Sequence, residues 1–249
     1  MAAPVLNDRS FAPETVREVT GGGETTGAMT YGSVIVRELF LLVLTLGSAT
    51  LGWRAAEDQR PTSGMWFFLG YILLIAISIA AARNPRLTAV AGVLYAVLVG
   101  FWMGSISRLY ETYYDGIVAQ ALLASVTTFL AALLLYASRA VRVTGRFVKI
   151  VVIATAGIAL LYLFGWIFSL FGVDLLFWTQ PNTLGIAISA AICLLAAANL
   201  LIDFAVIEGG VRAGAPRVMS WFAAFGLLTT LVWLYLEILR FLALLRGRQ

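Results

Sequence analysis

Two acids stand in apolar company in this chain: Asp203 in "AAANLLIDFAVIEGG" and Glu237 in "VWLYLEILRF". Asn199 precedes Asp203 by four residues, so the two share one face of a helix. Arg240 follows Glu237 by three and shares its face in the same way. An ionised side chain at the centre of a bilayer costs between roughly 2.5 and 17 kcal/mol, depending on how it is measured. Acids so placed face protein or water, take a partner, and by default point to an ion or proton pathway. Other chemistry is scarce. No His occurs and the single Cys193 lies in an apolar segment, which excludes His-ligated metals, His general bases and an intramolecular disulfide. Without a nucleophile and base pair, neither an enzyme nor a cofactor is expected.

The elements that hold these acids follow from composition. Of 249 residues 61% are hydrophobic and only 12% charged, and the mean hydropathy is +0.93. Apolar blocks of about twenty residues recur, the length a helix needs to cross roughly 30 Å of hydrocarbon. They predict an all-α polytopic membrane protein with seven transmembrane helices, at about 34–53, 65–82, 87–107, 116–138, 147–172, 184–206 and 219–244. Residues 1–33, with "TGGGETTGA" and mixed charges, read as a flexible tail, and 34–249 as one transmembrane domain.

Seven spans put the termini on opposite sides of the membrane. Arg83, Arg86, Arg139, Arg142, Arg146, Lys149, Arg212 and Arg217 fall with the tail; Arg54, Arg60, Arg108, Arg246 and Arg248 fall opposite. The larger set in short loops predicts a cytoplasmic N-terminus and an outside C-terminus. The net charge of +4 therefore reports topology, and no nucleic-acid partner is expected. Trp53, Trp66, Trp178 and Trp221 lie near span ends as interfacial anchors. Gly100 and Gly104 form a GxxxG pair, a weak signal by itself.

Depth follows from the turn near Ala213 to Ala215, which joins the last two spans. At 1.5 Å per residue it sets Asp203 level with Gly226 to Thr230 and leaves Glu237 some ~20 Å away, so these two acids form no dyad. Glu237 pairs most simply with Arg240 near the outer interface. Asp203 has Arg83, at the end of the second span, as its nearest arginine from another helix; an ion pair between them is compatible with a pathway role. Glu111, Asp115 and Asp174 read as solvating loop acids, with no role assigned.

The C-terminal third, "AANLLIDFAVIEGGVRAGAPRVMSWFAAFGLLTTLVWLYLEILRFLALL", together with "GSISRLYE" and "RVTGRFVKIVVIATAGIALLYL", resembles the Bax inhibitor-1/YccA family in its bacterial branch, over roughly residues 30 to 245. The resemblance implies seven helices with the last near the centre of the bundle, and a calcium-permeable leak set by pH. It also implies an acid late in the sixth helix, a second acid on the seventh, and an arginine at the inner end of the second helix that latches them. Asp203 matches the first acid and Arg83 the arginine, to within about a residue. Thr230 stands where the second acid belongs, and Val99 where many relatives carry Glu. No second carboxylate is thus expected beside Asp203, nor steep pH switching near neutrality.

The leading expectation is a passive Ca²⁺ or proton leak in the bacterial inner (plasma) membrane. Asp203 is the inner gate residue, Asn199 and Thr230 add oxygens for a weak, transient Ca²⁺, Arg83 is the latch and Glu237 a secondary candidate. The other expectation is a non-conducting regulatory membrane protein that binds a membrane-anchored ATP-dependent protease, with the tail as its handle. Either way the lipid bilayer is a partner.

Overall fold

The computed structural model describes residues 27–57, 64–84, 87–170 and 181–248. The tail up to residue 26, Arg60, Arg86, Asp174 and Trp178 lie outside them. The described residues form seven helices: α1 (Tyr31–Glu57), α2 (Gly64–Arg83), α3 (Thr88–Tyr113), α4 (Ile117–Ala137), α5 (Gly145–Leu170), α6 (Thr183–Arg212) and α7 (Met219–Arg246). Six of them contain a stretch long and apolar enough to cross a membrane; α2 has 20 residues, with an apolar run at Ile72–Ala81. The chain is an all-helical, multi-pass membrane protein. The spanning window of α7 is 83% buried, the largest share of the six, against 11% for that of α5.

Helix starts are set by side chains that accept otherwise unpaired backbone N–H groups. Thr30 and Ser33 cap α1 reciprocally, each backbone N–H donating to the other's hydroxyl at 3.1 Å. Asn182 Oδ1 accepts from the Gly185 N–H at 2.7 Å at the start of α6. Glu111 turns out not to be a bare loop acid: it lies on α3, and its carboxylate accepts from the N–H groups of Gly116 (2.6 Å) and Val118 (3.0 Å) at the head of α4. An anion at that helix end also meets the positive pole of the dipole.

The ordered chain begins earlier than the expected boundary at 34. The Met29 N–H donates to the Ala215 carbonyl at 2.7 Å and the Arg217 N–H to the Gly27 carbonyl at 3.1 Å, making an isolated bridge between Ala28 and Pro216. Met29 is buried, so this short strap is part of the packed structure.

The chain divides into two compact units, one of residues up to Leu109 with Asp203–Val232, the other of Tyr110–Ile202 with the segment from Trp233 onward. In the first, α1 buries Val34, Glu38, Leu41, Thr45, Ser48 and Gly52, a stripe at alternating spacings of four and three that lies along one side of a helix. Against it runs α3. A Cβ added at Gly100 would strike the Thr45 carbonyl, one at Gly104 the Ala49 carbonyl, and one at Gly52 the Phe101 carbonyl. The Ser48 hydroxyl donates to the Val97 carbonyl at 2.5 Å and Ser105 to the Gly52 carbonyl at 3.1 Å. The GxxxG pair is thus a backbone-to-backbone contact, as small residues permit.

Gly100→Leu should separate α1 from α3 and lower stability by at least about 1–3 kcal/mol, read as an earlier thermal unfolding transition in detergent. Gly47→Ala, where an added Cβ meets nothing within 4 Å, should stay within about 0.5 kcal/mol of the parent. Equal transitions for the two variants would mean that the helices are not in this contact.

Candidate functional site

In the first unit three helices bring polar side chains to one place. The α1 stripe turns Glu38 inward, α6 carries Asp203 and α7 carries Thr230. Their exposures are 6%, 1% and 0%. The Thr230 hydroxyl lies beside the Asp203 carboxyl and donates to the Gly226 carbonyl at 3.2 Å. One Asp203 oxygen and both oxygens of Glu38 are buried with no hydrogen-bond partner among the described residues. The two carboxyls are near enough to interact electrostatically. Among the described residues neither forms an ion pair with a basic side chain.

Buried acids without cationic partners are costly, and two of them repel if both are ionised. A proton or a cation between them relieves both costs. Ca²⁺ takes six to eight oxygens at roughly 2.3–2.6 Å; two carboxyls and a hydroxyl supply a minority, and water would have to complete the shell. The described residues contain no group of three or more His, Cys, Asp or Glu side chains able to hold a metal. The chemistry suits a cation that passes better than one that stays.

Thr230 lies beside Asp203, at the depth the short turn between α6 and α7 requires. Asp203 is not the solitary carboxylate expected: a second acid, Glu38, acts on it, delivered by the first helix instead of the seventh. Its signal was present in the α1 stripe, where an acid occupies a position in register with Val34, Leu41 and Thr45. Arg83 is exposed at the last turn of α2 and forms no ion pair with Asp203. In this structure the expected latch is not made, because the arginine ends in solvent-accessible surroundings and the acid is enclosed.

Asn199 and Glu237 have partners of their own in the second unit. Asn199 donates through Nδ2 to the Thr155 hydroxyl on α5 and to the Leu195 carbonyl, both at 2.9 Å. Glu237 Oε1 accepts from the Tyr162 hydroxyl at 2.9 Å and from the Trp233 indole at 3.2 Å. Its Oε2 lies 3.5 Å from Arg240 Nη1, the intrahelical pair expected from spacing, and Arg240 also donates to the Tyr162 hydroxyl. Tyr162 was not foreseen: a tyrosine in an apolar span is ordinarily core or interface, and nothing in its neighbourhood along the chain announces a carboxylate 75 residues away. This acid is compensated, whereas Glu38 and Asp203 are not.

The whole described chain can be set beside known proteins. A family model described as Bax inhibitor 1 like matches residues 3–247, reaching further toward the N-terminus than the resemblance over 30 to 245. No curated protein and no solved structure matches the chain. A match over nearly the full length, with seven apolar helices and an acid late in the sixth, establishes that this membrane protein belongs to the Bax inhibitor 1 like family.

Proposed function

We propose that this protein is a passive leak pathway for cations, Ca²⁺ or protons, across the bacterial inner membrane, with Asp203 as the inner gate residue and Glu38 as its acidic partner. The observation that carries this reading is the pair itself: two carboxyls, each more than nine-tenths buried and close enough for their charges to interact, with no basic side chain in an ion pair with either among the described residues. Structural ion pairs solve burial by bringing an arginine, as Glu237 does with Arg240. The uncompensated pair instead keeps an affinity for positive charge, which is what a cation pathway uses. Thr230 adds one oxygen. Passive flux is proposed because no phosphate-binding loop occurs that could couple transport to a nucleotide.

The same reading orients the chain with its N-terminus in the cytoplasm, from the excess of Lys and Arg on that face, and so places Asp203 toward the inner side.

Ca²⁺ and proton entry into liposomes containing the purified full-length protein tests the pathway. Asp203→Asn and Glu38→Gln should each lower flux by about tenfold, equivalent to about 1.4 kcal/mol, and the double variant should lose less than the product of the two, since residues in contact couple. The pH profile of flux should change on removing Glu38, because interacting acids titrate as a pair. Unchanged flux in both single variants would remove these acids from the pathway. Absence of flux from folded wild type would sink the leak reading in favour of a non-conducting, protease-binding role. Arg83→Ala should leave flux within about twofold; a large rise would mean that the arginine latches the acids in another state.

Orientation is checked in intact cells in a Cys193→Ser background. Arg60→Cys should react with an impermeant thiol reagent and Arg142→Cys should not; the reverse pattern would place Asp203 toward the outer side.

A further inference from the structure

Arg37 stands one residue before the buried Glu38, about 100° away around α1, and so emerges on a different face. Its guanidinium lies over the Trp221 ring of α7, 5.2 Å from the centroid, and Nη1 donates to the Ser33 carbonyl at 2.7 Å. The Trp221 ring in turn meets Phe40 edge-on at 6.1 Å. Arg37 Nε has no hydrogen-bond partner among the described residues.

Arg217 is exposed in the turn that leads into α7; its carbonyl accepts from the Ser220 N–H at 3.1 Å, and the Ser220 hydroxyl meets that of Ser33 at 2.6 Å, the residue whose carbonyl Arg37 holds, so both arginines stand at the same end of the α1–α7 contact. The Arg217 backbone is tied to Gly27 through the strap, which fixes its place. Neither arginine makes an ion pair among the described residues. Two like charges gathered at one end of a helix contact without an anion repel, and the planar donors of arginine suit a phosphate.

The surroundings specify what kind of phosphate. Val36 and Phe40, on either side of Arg37 along α1, are 67% and 47% exposed on a helix apolar enough to span a membrane. Trp221 near the start of α7 is a side chain of the membrane interface. Val36 stands beside Arg37 and Phe40 nearly one turn beyond it, so charge and exposed apolar surface adjoin, as head and tail do in a lipid.

We propose that Arg37, Arg217 and Trp221 form a binding site for the headgroup phosphate of an anionic phospholipid, whose acyl chains lie along Val36 and Phe40. Basic pockets between transmembrane helices hold anionic headgroups in this manner. The site is independent of the leak reading, and its test needs no flux.

Delipidated full-length protein in neutral detergent is titrated with phosphatidylglycerol or with phosphatidylcholine of the same chains, and bound lipid is counted by native mass spectrometry. The wild type should retain phosphatidylglycerol roughly tenfold or more tightly than phosphatidylcholine, and Arg37→Gln with Arg217→Gln should abolish the difference. Arg37→Lys with Arg217→Lys keeps the charge and should keep most of the preference, with a steeper loss in salt. The lysine variant also serves if the glutamine variant fails to fold: its preference must then disappear at high salt. Equal retention of the two lipids by the wild type would overturn the proposal. Displacement of phosphatidylglycerol by millimolar inorganic phosphate would overturn the lipid assignment in favour of a free-anion site.

Discussion

The backbone of α3 at Gly100 and Gly104 comes against the backbone of α1 at Thr45 and Ala49, and this contact decides which face of α1 turns inward. Lipid tails are as apolar as leucine, so nothing like the water-driven effect sorts the faces of a spanning helix. Close packing does the sorting, and small residues allow it. Once the Thr45 and Ala49 turns are pinned to α3, helical spacing carries Glu38 to the same side as Leu41, Thr45 and Ser48. Leu41 and Phe225 fill the space beside Gly92, and Tyr95 meets Phe225 edge-on at 5.1 Å, joining α7 to the same core. The acidic site is therefore a consequence of glycines two to three turns away from it.

Hydroxyls and carboxyls meet the apolar medium differently. Thr45 donates to the Leu41 carbonyl at 2.9 Å, Ser125 to Ala121 at 2.7 Å and Thr229 to Phe225 at 2.8 Å, each bonding back to the preceding turn. A hydroxyl so placed satisfies its own proton within the helix and needs no neighbour. An ionised carboxylate has no proton to give and cannot accept from a backbone whose N–H groups are already used. It must find a donor elsewhere. Glu237 finds two, in the Tyr162 hydroxyl and the Trp233 indole, with Arg240 as an ion-pair partner at 3.5 Å; Asp203 has the Thr230 hydroxyl beside it; Glu38 finds none among the described residues. The order of those three acids from satisfied to unsatisfied is the reason for assigning the pathway to the last two.

The strap from Gly27 to Thr30 lies at the start of α1. It pairs with the turn between α6 and α7, and the Ser33 and Ser220 hydroxyls meet at 2.6 Å. The start of α1, which carries Glu38, is thereby tied to the hairpin that carries Asp203 and Thr230.

Much of this was legible in the residues alone. Apolar block length specifies a spanning helix because a bilayer has one thickness and an unpaired peptide group there has one remedy, so seven helices appear close to their expected positions, with α3 and α6 running several residues further into polar surroundings. The short turn after Arg212 fixed the depth of Thr230 against Asp203 because two helices joined by a tight turn must run antiparallel, and the Glu237–Arg240 pair follows from a spacing of three. What spacing cannot supply is the neighbour of a helix that is distant along the chain. Glu38 is 165 residues from Asp203 by number, and Tyr162 lies on a helix whose apolar face gives no hint of Glu237. Arg83 shows the converse, a residue at a plausible depth whose side chain faces outward. Helix existence is a local property of composition, whereas which faces meet depends on packing of small residues summed over every pair of helices, and only the tertiary structure carries out that sum.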